Sequence, residues 1–231
     1  MKDISDSPKS HTVLTGRYFL FKLGICLEMG KEAEGRQLID ELTAVHPDLK
    51  ARMKLADQFW LSYVAAYFLF SIGAYEEAGQ WLRQMFDGPR TPIRVDLQCY
   101  ARLLQLTILY ESGEYDLLAT NLKNTARFIY KHERMYHFEK QLLKCLRKLA
   151  NTAPDSKRLS HFWKEHLLAF QELKKEKFEA IGFFWLDVTS WLESKIKGNY
   201  LAEIKKEHFL AKASPAHSRS SNTSSIPPPG R

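Results

Sequence analysis

The chain has 231 residues, 45% hydrophobic and 13% aromatic, enough to bury the core of one domain or one short repeat array and too apolar for a disordered protein. Its formal charge of +7 is uneven: residues 1 to 120 hold 13 Lys and Arg against 16 Asp and Glu, and residues 121 to 231 hold 21 against 11, which puts the basicity in the C-terminal half. Cys26, Cys99 and Cys145 are odd in number, far apart and set in apolar helical sequence, arguing against a disulfide framework or a cysteine zinc site and for reduced core thiols in a cytoplasmic protein.

Residues 1 to 10 carry charges of both signs and no apolar run, so they read as a flexible N-terminus rather than a signal peptide. From Val13 to Met29, Leu14, Tyr18, Phe21 and Ile25 recur at helical spacing. After Gly30 a second helix carries Ala33, Leu38, Leu42 and Val45 to a stop at Pro47, closing a hairpin over about residues 11 to 47. Residues 51 to 71 and 74 to 86 predict a second hairpin, ended by the prolines Pro89 and Pro92. The charge-free run from Gln58 to Tyr75 reaches the length at which a membrane span must be considered, but Ser62, Tyr63, Tyr67 and Ser71 recur through it, and a buried repeat helix fits it better. A third hairpin spans residues 94 to 131, and further helices are expected over 133 to 150, 157 to 174 and 178 to 197. No segment alternates with period two, so no sheet is expected. Residues 211 to 231 hold no aromatic residue and a single isoleucine, the composition of a disordered tail.

Three glycine turns punctuate these helices at Gly30, Gly73 and Gly113, 43 and then 40 residues apart. Glycine ends a helix at little cost by taking positive φ, and a period near 40 residues points to stacked helical hairpins. The turn Gly73-x-Tyr75-x-x-Ala78 resembles that of a tetratricopeptide repeat, with Ala66 at the small position of the first helix and Leu82 at the large position of the second. The third hairpin keeps Gly113 and Tyr115 but has Leu118 for alanine; the first keeps Gly30 and Pro47 but has Glu32 for tyrosine and Gly35 for alanine. The resemblance covers residues 11 to 131. The tract from Arg94 to Leu149 and the stretch from Ser190 to Ile196 are also similar to uncharacterised helical-repeat proteins of Bacteroidota, which implies no biochemical activity. The expected architecture is all-α, a right-handed superhelix (α-solenoid) of antiparallel hairpins over residues 11 to 210 with a C-terminal helical cap.

In that family the first helix of each hairpin lines a concave face. The matching positions here are Arg17, Leu20, Gly24 and Leu27, then Trp60, Tyr63, Tyr67 and Phe70, then Tyr100, Leu103, Thr107 and Tyr110. The resemblance therefore implies a protein-interaction scaffold whose aromatic groove, built on Trp60, Tyr63, Tyr67, Phe70, Tyr100 and Tyr110, takes a protein or peptide partner. The Lys and Asn residues with which some members clamp a terminal carboxylate are missing. The competing expectation is that the C-terminal helices, with Phe162, Trp163, Phe170, Phe183, Phe184, Trp185 and Trp191, cover the groove, since repeat arrays need a terminal cap.

A second surface is basic. Lys123, Arg127, Lys131, Arg134, Lys140, Lys144, Arg147 and Lys148 crowd residues 121 to 149 against Glu133 and Glu139 alone. Arg127, Lys131, Arg134, Lys144 and Arg147 supply the alternative function, binding of nucleic acid, or else form an ordinary solvated face. Histidines five apart, as in His132 with His137 and His161 with His166, do not share a helix face, so no metal site is expected. No phosphate loop or nucleophile elbow occurs. Asp187, between Leu186 and Val188, reads as a helix cap or an ion-pair partner. The expectation is a protein without enzymatic activity or cofactor.

Overall fold

A computed structural model describes the backbone of residues 8 to 87, 92 to 150 and 156 to 214. It is helical throughout, with no strand among the described residues: α1 (Pro8–Met29), α2 (Glu32–Arg52), α3 (Leu55–Ser71), α4 (Tyr75–Phe86), α5 (Val95–Glu111), α6 (Tyr115–Lys131), α7 (His137–Ala150), α8 (Ser156–Leu173), α9 (Ala180–Trp185), α10 (Val188–Lys197) and α11 (Leu201–Ala213). The expected flexible terminus at 1 to 10 and tail at 211 to 231 lie mostly outside the described residues.

Glycine sets the joints. Gly30, Gly73, Gly113 and Gly198 take φ of 63°, 81°, 74° and 74°, and in each case the next residue donates its N–H to a carbonyl five back, as Ala74 does to Leu69 and Glu114 to Leu109. That bond satisfies a helix-end carbonyl that would otherwise be orphaned. Glu133 does the same at the end of α6 with φ of 55°, without glycine's help. Pro47 does not end α2, which runs on to Arg52. Proline forfeits one helical hydrogen bond, and the turn beyond it is held by Leu49, which is buried in the core.

The odd helices form one row, α1 on α3, α3 on α5 and α5 on α7, while α2, α4 and α6 pack behind their hairpin partners. At the α2–α3 crossing a Cβ on Gly35 would overlap the ring of Phe68, so glycine there lets the two helices approach closely. In α3, eleven of seventeen residues are buried; a helix apolar all round is an interior helix when others surround it. This explains the charge-free run, and no helix among the described residues is long and apolar enough to cross a membrane. Beyond α7 the chain turns back: α8 packs on α10, α10 on α11, and α11 on α1 and α3. The three cysteines are buried and free.

Candidate functional site

The inner face of the odd row is where the sequence places its aromatic groove, and the structure fills it with the chain's own C-terminal segment. Residues 182 to 206 run back across the row from α7 to α1. Gly182 lies so close to the ring of Phe138 in α7 that a Cβ would overlap it. Trp185 stacks on Tyr100 of α5 with centroids 5.9 Å apart, and its carbonyl accepts the hydroxyl of Tyr63 at 2.6 Å. The backbone N–H of Asp187 donates to the hydroxyl of Tyr67 at 2.7 Å. Trp191 meets Tyr110 edge to face and donates its indole N–H to Glu111 at 2.7 Å, where Lys195 also donates at 2.7 Å. Tyr200 covers Gly73, and Ala202 and Lys206 abut Gly30.

Tyr63, Tyr67, Phe70 and Tyr100 are accordingly buried, and Trp60 and Tyr110 half-buried. Of the six residues assigned to a partner groove, Tyr63, Tyr67, Phe70 and Tyr100 are thus an interior, whereas Trp60 and Tyr110 keep part of their surface: each hydroxyl of Tyr63, Tyr67 and Tyr100 already has a partner within the chain, the last being Glu139 at 3.1 Å. Burial pushes the phenols of Tyr63, Tyr67 and Tyr100 far above their ordinary range.

Asp187 is the polar hinge of this closure. Its carboxylate caps α10, accepting from the Ser190 N–H at 3.1 Å and from the Ser190 and Thr189 hydroxyls at 2.7 Å each. Lys205 of α11, itself buried, lies 3.5 Å away and reaches Glu28 of α1 at 2.8 Å. Burial works to raise the Asp187 carboxyl, but Lys205 and the Ser190 and Thr189 hydrogen bonds outweigh it and hold it at about 2. The cap expected from sequence is thus present, with lysine as its cation. Glu179 has a parallel role: its two oxygens accept the N–H groups of His137 at 3.2 Å and Phe138 at 2.8 Å, a carboxylate at the helix N-terminus of α7 where the dipole favours it. Burial raises the Glu139 carboxyl against the bonds from Tyr100 and the Tyr136 N–H. His166 is buried against the ring of Phe162, and burial pushes its imidazole down.

One part of the inner face stays open. Between the N-terminal ends of α1 and α3 a cavity of about 220 Å³ is lined by Val13, Arg17, Leu20, Phe21, Asp57 and Trp60, among others. Its wall is stiffened by Arg94, whose guanidinium lies 5.7 Å from the Trp60 ring and 5.6 Å from that of Trp185 while bonding both oxygens of Asp96.

The basic residues lie where the sequence suggests. Arg127 and Lys131 on α6, Arg134 in the turn, and Lys144 and Arg147 on α7 are all exposed, beside the exposed Tyr130 and Tyr136. A metal-ligating set unforeseen in the sequence also forms: His137 Nδ1 stands 3.7 Å from a carboxylate oxygen of Glu176 and 3.7 Å from one of Glu179. About forty residues separate its members, so no local motif announces it, and the Glu179 oxygens are already engaged by α7.

The largest departure is on α1. By 100° per residue, Phe19, Leu23, Cys26 and Leu27 share one face of the helix and Leu14, Tyr18, Phe21 and Ile25 the opposite one. The first set is buried, whereas Leu14, Tyr18, Phe21 and Ile25 remain 63%, 48%, 63% and 49% exposed. This helix is apolar on two sides, and α2, α3 and α11 pack on it so that the first set is buried. A second, irregular patch surrounds α9, where Phe178 and Phe184 are exposed.

No protein-family model, curated protein or solved structure matches the chain.

Proposed function

We propose that this chain is a protein-interaction scaffold, a right-handed tetratricopeptide-like array of helix hairpins that binds through the outer face of α1 rather than through its concave face. The observation that carries the reading is the exposed stripe Leu14, Tyr18, Phe21 and Ile25. Its steps of four, three and four residues are those of a coiled-coil seam, so the occupant it fits is another helix. Two features support the repeat architecture: glycine joints at a near-constant period, and odd helices that pack successively in one row. Four large apolar side chains exposed along one helix face mark a surface built to be covered. The cavity beside Trp60 supports binding over catalysis. At about 220 Å³ it is smaller than the roughly 300 Å³ at which small-molecule sites begin, and it suits one anchoring side chain from a partner.

The test compares proteins captured by the purified chain and by its Phe21→Glu variant, each with and without nuclease. Loss of the specific partners in the variant supports the reading; an identical set contradicts it.

The exposed basic residues favour a second reading, nucleic-acid binding, because Tyr130 and Tyr136 stand among them as stacking surfaces. If Arg127, Lys131, Lys144 and Arg147 neutralise phosphates, binding to an arbitrary RNA falls log-linearly with salt and disappears when the four become Glu.

A further inference from the structure

We infer that the occupant of the α1 stripe is a second copy of this chain, docked α1 against α1 in antiparallel orientation about a twofold axis. The inference rests on the reading of that stripe as a docking face and names what docks there.

Self-complementarity of the register is the first argument. A twofold axis placed between Tyr18 and Phe21 sets Leu14 against Ile25 of the second copy and Tyr18 against Phe21 of the second copy, so every seam residue meets another seam residue and none is left over. A closed twofold contact requires this of a single surface patch. Orientation follows from charge. Arg17 and Lys22 flank the stripe on its two sides and are exposed. In a parallel pair each Arg17 would face Lys22 of the other copy twice over, a like-charge contact; in the antiparallel pair Arg17 faces Gly24 of the second copy, and Lys22 faces its Thr15.

Gly24 is the second argument. It sits in the middle of a helix, where glycine costs stability relative to alanine. Yet a Cβ there would meet nothing within 4 Å, unlike Gly16 and Gly35, which are packed against Met53 and Phe68. No described residue uses the missing side chain. At the edge of the seam it gives the stem of Arg17 from the second copy a place to lie.

Composition outside the described residues is the third. Residues 1 to 7, 88 to 91, 151 to 155 and 215 to 231 contain only Met1, Ile4 and Ile226 as large apolar side chains, too few and too scattered to cover four seam residues. The seam also sets the strength of the contact. Four side chains with about half their surface exposed offer on the order of 400 Å² per copy, and flanking residues add to that without exceeding the ~800 Å² of a standard interface. A contact of that size is expected to be reversible.

The experiment is sedimentation equilibrium of the full chain from about 1 to 500 μM, with cross-linking to read the register. The expected result is a reversible monomer–dimer equilibrium that Phe21→Glu shifts to monomer by at least tenfold in dissociation constant while helical circular dichroism is unchanged. Oxidation of the Leu14→Cys/Ile25→Cys double variant should give a covalent dimer, and the Phe21→Cys single variant should not. A chain monomeric over the whole range, a dimer indifferent to Phe21→Glu, or efficient Phe21→Cys cross-linking would each overturn the inference. A monomer that still captures a different protein through Phe21 overturns the self-pairing alone and leaves the scaffold reading standing. A monomer that instead binds vesicles of phosphatidylcholine and phosphatidylserine through Phe21 overturns both.

Discussion

The inner face of the odd helices and the outer face of α1 are both apolar, both aromatic and both periodic, yet one is an interior and the other a surface. On the inner face three buried phenols each find a partner, Tyr63 on the Trp185 carbonyl, Tyr67 on the Asp187 N–H and Tyr100 on Glu139, two of them within the returning segment. On the outer face of α1, Leu14, Tyr18, Phe21 and Ile25 keep about half or more of their surface exposed, and Phe21 also stands at the cavity beside Trp60. The difference teaches that apolar periodicity locates a face that must be covered, whereas matched polar atoms tell whether the chain itself does the covering.

The contrast can be broken most forcefully at Trp191, which is buried and whose indole N–H is bonded to Glu111. Trp191→Ala should cost about 3–5 kcal/mol in urea unfolding, whereas Phe21→Ala should stay within about 0.5 kcal/mol for the monomer; comparable losses would erase the distinction between the two faces. Gly73 probes where the returning segment meets a joint. Gly73→Val combines left-handed strain with a Cβ that would strike the ring of Tyr200, and about 2–3 kcal/mol should be lost, of which the strain supplies ~1–2. Gly113→Ala, strained at φ of 74° but facing open space, should lose only the strain.

Acid sharpens the comparison next. The Asp187 carboxyl is held at about 2 in the folded chain against ~3.9 unfolded, so its contribution is present above pH 4 and is lost as the pH falls from about 4 through 2. On the order of 2 kcal/mol of stability should disappear over that window, and Asp187→Asn should abolish this part of the pH dependence. The smallest effect is a gain. Gly24→Ala fills open space in a helix interior and should stabilise the monomer by ~1 kcal/mol, seen as a raised thermal midpoint at concentrations below self-association.

Much of this was legible before any coordinates. The turns at Gly30, Gly73 and Gly113 follow from glycine's access to positive φ, and the helices between them from apolar spacing. Asp187 was recognisable as a cap because a lone carboxylate between Leu186 and Val188 needs compensation. Three things were not legible, each for a physical reason. Pro47 signals a stop, but the burial of Leu49 beyond it outweighs one lost hydrogen bond. A C-terminal cover over Tyr63 and Tyr67 was one of two expectations, but the pairing of each hydroxyl with a residue about 120 positions later is encoded in no local pattern. The stripe on α1 was visible as a period, but which of two apolar faces is buried depends on where α2, α3 and α11 pack. Glu179, which caps α7 from 41 residues downstream of Phe138, is of the same kind.

Native-state hydrogen exchange of the full chain most directly tests whether the inner face of the odd helices belongs to the chain itself. Amides from Trp191 to Lys195 should exchange only through the opening that also exposes α3, with the same free energy and the same denaturant dependence. Exchange of those amides through a separate, lower-energy opening, with α3 still protected, would contradict the account, since a segment that lifts off by itself leaves a groove free for a partner.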